Sequence, residues 1–82
     1  MNLTVRFFAA ARAAAGTEAR VVDIDTATTL GDLESTLSAG NPELAKVLKR
    51  CSYLRDETTF TDRSQQLGIC STLDVLPPFA GG

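Results

Sequence analysis

The chain has 82 residues, of which 44% are hydrophobic, and this length allows one compact domain and excludes a second. Ten acidic and eight basic residues give a formal charge of −2 at pH 7, with no basic stripe that would neutralise phosphates, so nucleic acid is not an expected partner. The absence of histidine and the presence of only two cysteines, Cys51 and Cys70, exclude the usual zinc ligand sets. We expect no metal site and two reduced cysteines.

The chain begins with a predicted strand and a predicted short helix. Every second residue from Leu3 to Phe7 is apolar, which predicts a strand over residues 2–8 with one buried face. The alanine-rich residues 9–15 have high helix propensity, and Gly16 is placed to end that helix in the left-handed conformation.

This opening has only a superficial likeness to an export signal. No basic region precedes the apolar residues, and Arg6 and Arg12 interrupt them. No apolar run approaches the roughly 18 residues of a membrane span. We therefore expect a cytoplasmic protein without membrane contact.

A second strand, over residues 18–24, precedes two predicted helices. Thr29 and Asp32 match the Ser/Thr-x-x-acid capping pattern, and leucines at helical spacing predict a main amphipathic helix that ends near Gly40. Asn41-Pro42 then starts a second, shorter helix. A basic group is expected in the exposed last turn of this helix, and it consists of Lys46, Lys49 and Arg50.

The remaining strands are predicted over residues 52–55, 59–61 and 72–76. The last of these ends at Pro77-Pro78, because proline cannot donate to a sheet ladder. This order of elements predicts an α+β domain over residues 1–76, in which a mixed sheet of four to five strands packs on one main helix, followed by an extended tail over residues 77–82.

The sequence offers few groups for catalysis. Without histidine, the serines and threonines lack the usual general base. The acidic pairs Asp23/Asp25 and Asp56/Glu57 are expected to make local hydrogen bonds at turns. No glycine-rich phosphate-binding loop is present. The chain is therefore not expected to be an enzyme on its own.

The tail is the most informative segment. Two prolines favour an extended exit from the last strand, Phe79 offers one bulky side chain, and Ala80, Gly81 and Gly82 are slim. Fully extended, the six residues from Pro77 span about 20 Å, enough to carry a terminal carboxylate into another protein's active site. The alternative is an ordinary frayed terminus.

Two segments resemble a known family. Phe7, Phe8 and Ala9, with Arg12 and Gly16, resemble the Phe-Phe-Ala-x-x-Arg-(x)3-Gly-Thr segment of MoaD-like small subunits of molybdopterin synthase. The tail resembles the closing signature of the same family. The resemblance implies a ubiquitin-like β-grasp fold.

It also implies a sulfur carrier that works through partners. A MoeB-like adenylyltransferase, similar to ubiquitin-activating enzymes, would use ATP to convert the carboxylate into an acyl-adenylate, and a sulfur donor would then replace AMP. The resulting thiocarboxylate would enter a MoaE-like large subunit of molybdopterin synthase, in a heterotetramer of two small and two large subunits, and deliver sulfur to precursor Z, a cyclic pyranopterin monophosphate. The chain itself would bind no cofactor.

The resemblance assigns roles to individual residues. Gly82 would bear the sulfur, with Gly81 as the slim residue behind it. The partner-binding residues would be Pro77, Pro78, Phe79 and Ala80 in the tail, with Phe8 and Arg12 on the partner-facing surface. Phe7, in phase with Leu3, is expected in the core.

The sequence departs from the family at two places. The family's usual acidic, glycine-bearing turn before the last strand is replaced by Ile69-Cys70-Ser71-Thr72, where Gly68 would have to supply any positive φ. Tyr53-Leu54-Arg55-Asp56 replaces the family's usual Val-Asn pair.

Three alternatives stay open at this point. The chain could carry sulfur for thiamine thiazole or cysteine synthesis, it could modify proteins through an isopeptide bond to lysine, or it could be a β-grasp interaction module with an inert tail. Fold alone does not separate these functions.

Overall fold

A computed structural model describes residues 1–78, which form five strands and three helices. The elements in chain order are β1 (Asn2–Phe7), α1 (Ala9–Ala15), β2 (Ala19–Asp23), α2 (Leu30–Ser38), α3 (Pro42–Leu48), β3 (Ser52–Arg55), β4 (Thr58–Thr59) and β5 (Thr72–Leu76). The strand order in the sheet is β2-β1-β5-β3-β4. β1 and β5 are parallel, and the other neighbouring strands are antiparallel. The predicted mixed sheet with helices is confirmed.

The two central strands share one buried face. In the parallel register Val5 lies opposite Leu73 and Phe7 opposite Val75, and all four side chains are buried. The alternation predicted for β1 is therefore correct, because the buried residues of a strand recur every second position. Beside them α2 contributes a buried stripe that consists of Leu30, Leu33 and Leu37.

The helix caps predicted from the sequence are present. Thr29 and Asp32 form the reciprocal capping box, and the Asn41 side chain accepts a hydrogen bond from the Leu44 amide at 3.1 Å. Gly16 ends α1 in the left-handed conformation, with φ of 76°, and its amide donates to the Arg12 carbonyl.

Three predicted strands had wrong boundaries. β1 ends at Phe7 because Ala9 takes a positive φ of 49° and turns the chain directly into α1. β2 covers Ala19–Asp23, one residue shorter at each end than predicted. β4 is Thr58–Thr59 rather than residues 59–61, because a turn of only two residues joins it to β3 and starts its pairing early.

Both cysteines are unbridged and buried. Burial raises the pKa of the Cys51 thiol to about 11. Each therefore packs as a small apolar side chain.

Within residues 1–78, no helix combines the length and the apolar character that crossing a membrane requires.

The turn before β5 lacks the family's usual acidic, glycine-bearing sequence, and Gly68 and Asp56 supply the positive φ and the carboxylate instead. Gly68 takes the positive φ, at 67°, so Cys70 is not strained. The acidic group comes from elsewhere in the chain: the Asp56 carboxylate accepts hydrogen bonds from the amides of Ser71 at 3.0 Å and Thr72 at 2.9 Å. These bonds lower the pKa of Asp56.

This arrangement predicts a pH-dependent contribution to stability. The pKa of Asp56 is lower in the folded chain, so the stabilisation is complete above the unfolded value of about 3.9 and is lost as pH falls through the folded pKa. Urea unfolding should therefore show wild type to be more stable than Asp56→Asn at neutral pH, with the difference shrinking below about pH 4. A difference that stays constant into acid would contradict this role of the carboxylate.

Candidate functional site

The tail begins after Leu76, at the end of the middle strand β5, and this point is called the tail root. β5 pairs with β1 on one side and with β3 on the other, and Leu76 lies opposite Ser52. A strand paired on both edges has a fixed direction, so the chain must leave the sheet at one defined point. Pro77 is half-buried there and Pro78 is exposed.

The two prolines end the ladder as predicted. Neither has an amide hydrogen to donate, and β5 ends at Leu76, immediately before them. The next four residues lie outside the described residues. They are Phe79 and Ala80, predicted to bind the partner, and Gly81 and Gly82, predicted to form the reacting end.

The two neighbouring phenylalanines have opposite environments. Phe7 is 3% exposed and belongs to the core, as predicted. Phe8 is 42% exposed, and its amide donates to the Val75 carbonyl at 3.2 Å. Phe8 therefore presents an aromatic ring to solvent close to the tail root, which is where a partner-facing residue would have to lie.

Arg12 lies one helical turn beyond Phe8. Its guanidinium contacts the Glu18 carboxylate at 2.6 Å, and both side chains are largely exposed. Such an exposed ion pair contributes little to stability, so Arg12 is available to a partner at small cost. Phe8, Arg12 and Glu18 line an open cavity of about 370 Å³, together with Arg6, Phe7, Ala9 and Ala19.

Arg6 and Asp74 form an ion pair on the outer face of the sheet that was not predicted from the sequence. Arg6 donates through Nε to Asp74 Oδ1 at 2.5 Å and through Nη2 to Oδ2 at 2.8 Å, a bidentate arrangement. Asp74 is 7% exposed, and the hydrogen bonds to it raise the pKa of Arg6. The pair ties β1 to β5 two residues before the tail root.

The basic group lies at the end of α3, as predicted. Lys46 is in the last turn of the helix and Lys49 is its C-terminal cap, with Arg50 directly after. The three side chains and Val47 line an open cavity of about 400 Å³. Because β3 starts at Ser52, which is paired with Leu76, this end of α3 also lies near the tail root.

The comparison with protein families decides the wider identity. Residues 5–82, nearly the whole chain, match the model of the ThiS family. The chain belongs to the ThiS family. This confirms the predicted membership of the group that contains both ThiS-like and MoaD-like carriers.

Solved structures show the same fold as this ThiS-family chain. SAMP1 from Haloferax volcanii has a TM-score of 0.80 and 23% sequence identity, with 100% of both chains covered. A putative molybdopterin converting factor subunit 1 from Pyrococcus furiosus has a TM-score of 0.78 and 14% identity, covering 96% of this chain and 99% of its own. Subunits 1 and 2 of molybdopterin-converting factor from Helicobacter pylori were solved as a complex, with a TM-score of 0.69, 22% identity and 100% of both chains covered.

The ubiquitin-like β-grasp prediction is thereby confirmed. A search of curated proteins found no match.

Within residues 1–78 no group of acidic and cysteine side chains could hold a metal ion. The buried Tyr53 hydroxyl donates to Glu34 at 2.6 Å, and Arg63 donates to the same carboxylate at 2.8 Å. Burial raises the pKa of Tyr53 well above its ordinary value. This network joins α2, β3 and the loop before β5, and its role is structural.

Proposed function

We propose that the chain is a sulfur carrier whose Gly82 carboxylate is activated and thiocarboxylated by partner proteins. The observation that supports this most strongly is the fixed point at which the chain leaves the sheet. β5 is paired on both sides, ends at Leu76 immediately before Pro77-Pro78 and has the exposed Phe8 beside its end. Membership of the ThiS family supports the same conclusion.

The proposed chemistry follows from the weakness of a carboxylate as an electrophile. An activating partner of the MoeB-like class would transfer AMP from ATP to Gly82, releasing pyrophosphate and leaving a mixed anhydride. A sulfur donor would then attack the acyl carbon, and the bond to AMP would break. The chain contributes placement of the reacting carbon, which is a large part of catalysis when two reactants must meet. Because activation consumes ATP, we propose that this occurs in the cytoplasm.

For the sulfur acceptor we propose precursor Z, bound to a MoaE-like large subunit of molybdopterin synthase. The support is the fold shared with molybdopterin converting factor subunit 1 of Pyrococcus furiosus and with the Helicobacter pylori protein solved together with its subunit 2. By analogy the complex would contain two small and two large subunits.

A second candidate function is protein modification, in which the activated Gly82 forms an isopeptide bond with a lysine. The observation that favours it is the fold shared with SAMP1, which belongs to a class of small archaeal modifier proteins. Both functions need the same activated carboxyl group, and they differ only in the nucleophile that attacks it.

Intact-mass spectrometry tests the carrier function directly. The chain is incubated with ATP, an adenylating enzyme and a sulfur source, and we expect exchange of one oxygen for one sulfur at Gly82. An unchanged mass with an enzyme shown to be active on another carrier would overturn the proposal. Loaded protein is then offered to a large synthase subunit with precursor Z, and to proteins with free lysines, and the product formed separates the two functions.

Phe8→Ala is expected to weaken binding of the large subunit without destabilising the domain. Phe8 is 42% exposed beside the tail root and lies outside the core, so its removal costs contact area at the interface but little in the core. We expect a loss of about 1–2 kcal/mol in binding free energy, measured by titration calorimetry.

The matched control is Val21→Ala, because Val21 is also exposed but lies on the edge strand β2. It should leave the affinity unchanged. Equal weakening by both substitutions would show that Phe8 has no special place in the interface.

A further inference from the structure

Charges are distributed unevenly along the direction of the strands. At the end where the tail leaves, α3 finishes with three exposed cations, Lys46, Lys49 and Arg50. At the opposite end of the sheet, exposed acidic residues follow or end the strands, namely Asp23, Asp25, Asp56 and Glu57. A domain with a net charge of −2 therefore has a basic surface on the α3 side of its tail root, whereas Arg12 and Glu18 neutralise each other on the β1 side.

The cations at the end of α3 are weakly neutralised. Lys46 lies 3.9 Å from Glu43, with both side chains more than three-quarters exposed, and such a pair is strongly screened. Within residues 1–78, neither Lys49 nor Arg50 takes part in a salt bridge. By contrast, Arg6 is held by Asp74 in a bidentate pair.

Favourable interaction with the helix dipole explains only part of this group. Lys46 and Lys49 lie at the negative end of α3, where a cation interacts favourably but weakly with the helix dipole. Arg50 lies beyond the helix and gains less from it. All three line an open cavity together with the apolar Val47, so an acidic surface docked there would meet three positive charges and one apolar side chain.

The position of this cavity connects it to the tail. Ser52 lies opposite Leu76 in the last pair of this ladder. Arg50 and Cys51 directly precede Ser52 in a turn whose amides bond back to α3, so the basic end of that helix lies beside the exit of Pro77-Pro78. Phe8 flanks the same exit from the other side, through β1. Any channel that accepts the tail must meet both flanks.

We propose that the cavity formed by Lys46, Val47, Lys49 and Arg50 docks an acidic rim, made of Asp and Glu side chains, around the tail-accepting channel of the activating partner. This inference rests on the proposed function. The carrier must bind and leave the activating partner in every loading cycle, and a charge-based contact suits this because electrostatic complementarity raises association rates more than it tightens complexes. The acidic far end of the domain is repelled by the same rim, so the tail arrives first.

The test compares association rates by stopped-flow fluorescence. The double variant Lys49→Gln/Arg50→Gln is mixed with the adenylating enzyme that loads the wild-type chain. The matched control is Gln65→Glu/Gln66→Glu, which changes the net charge by the same amount. Both glutamines are exposed, and they lie near the start of α2, where Gln66 pairs with Thr29.

We expect the association rate of the Lys49/Arg50 variant to fall roughly tenfold at low salt, and that of the Gln65/Gln66 variant to change much less. The wild-type rate should fall as salt rises from about 0.02 to about 0.5 M, converging on that of the Lys49/Arg50 variant. Circular dichroism checks that both variants are folded.

Equal rates for the wild type and the Lys49/Arg50 variant, or a wild-type rate that does not depend on salt, would overturn the inference. Either result would leave the proposed function intact, provided that the wild-type chain still gains sulfur. Failure of wild type to gain sulfur contradicts the proposed function instead. The two failures are therefore distinguishable.

Discussion

Deletion of Gly82 is expected to reduce sulfur loading by at least about 100-fold while the domain stays folded. The deletion withdraws the reacting carboxylate by about 3.5 Å. A misplacement of even about 1 Å in a reacting group can cost roughly 100-fold in rate. The measurement is a time course of loading by intact-mass spectrometry at fixed concentrations of ATP, adenylating enzyme and sulfur source.

Thermal unfolding is the control for this deletion. The described core ends at Val75, so the midpoint of unfolding should be the same in the wild type and the deletion variant. A tag fused after Gly82 should abolish loading, because the carboxylate becomes an amide, whereas a tag before Met1 should be tolerated. Loading of the deletion variant at the wild-type rate would mean that Gly82 is not the reacting residue.

Leu73→Ala is expected to cost about 3–5 kcal/mol of unfolding free energy. Leu73 is 0% exposed and lies on β5 opposite Val5, in the centre of the sheet. The substitution removes buried methyl groups and leaves a cavity on the face of the sheet that packs against the helices, and this cavity cannot close easily. A domain of this size is stabilised by about 4–12 kcal/mol in total, so the variant should be close to unfolding in urea equilibrium experiments.

Leu54→Ala is the matched control, since it makes the same chemical change on the neighbouring strand. Leu54 is only half-buried and lies opposite Asp74, on the outer face of the sheet. Its loss should be clearly smaller than that of Leu73. Equal losses would mean that the face packed against the helices does not dominate the stability of the domain.

Local signals in the sequence predicted much of the fold. The apolar alternation correctly placed Phe7 in the core and the exposed Phe8 outside it, because successive side chains of a strand point to opposite faces of the sheet. The capping pattern at Thr29 and the left-handed Gly16 were also predicted, since both depend on a few neighbouring residues. The strand boundaries failed where backbone conformation was decisive, as at Ala9.

Contacts between distant segments could not be predicted in the same way. Arg6 and Asp74 are 68 positions apart, and only the parallel register brings them together. Asp56 was expected to make local hydrogen bonds at a turn, but the amides that it binds belong to the segment before β5, 15 and 16 residues away. For the candidate site, the sequence named Phe8 and the prolines, while the register showed that α3 reaches the same place.

The parallel pairing of β1 with β5 has a consequence for biosynthesis. β1 cannot complete its pairing until β5 has been synthesised, because β5 fills the gap between β1 and β3. Such a high contact order slows folding, and a nascent chain interrupted before residue 72 has no route to the finished sheet. The strand that completes the sheet is therefore also the strand from which the tail extends. Incomplete translation products that lack β5 do not compete for the enzymes that act on the tail.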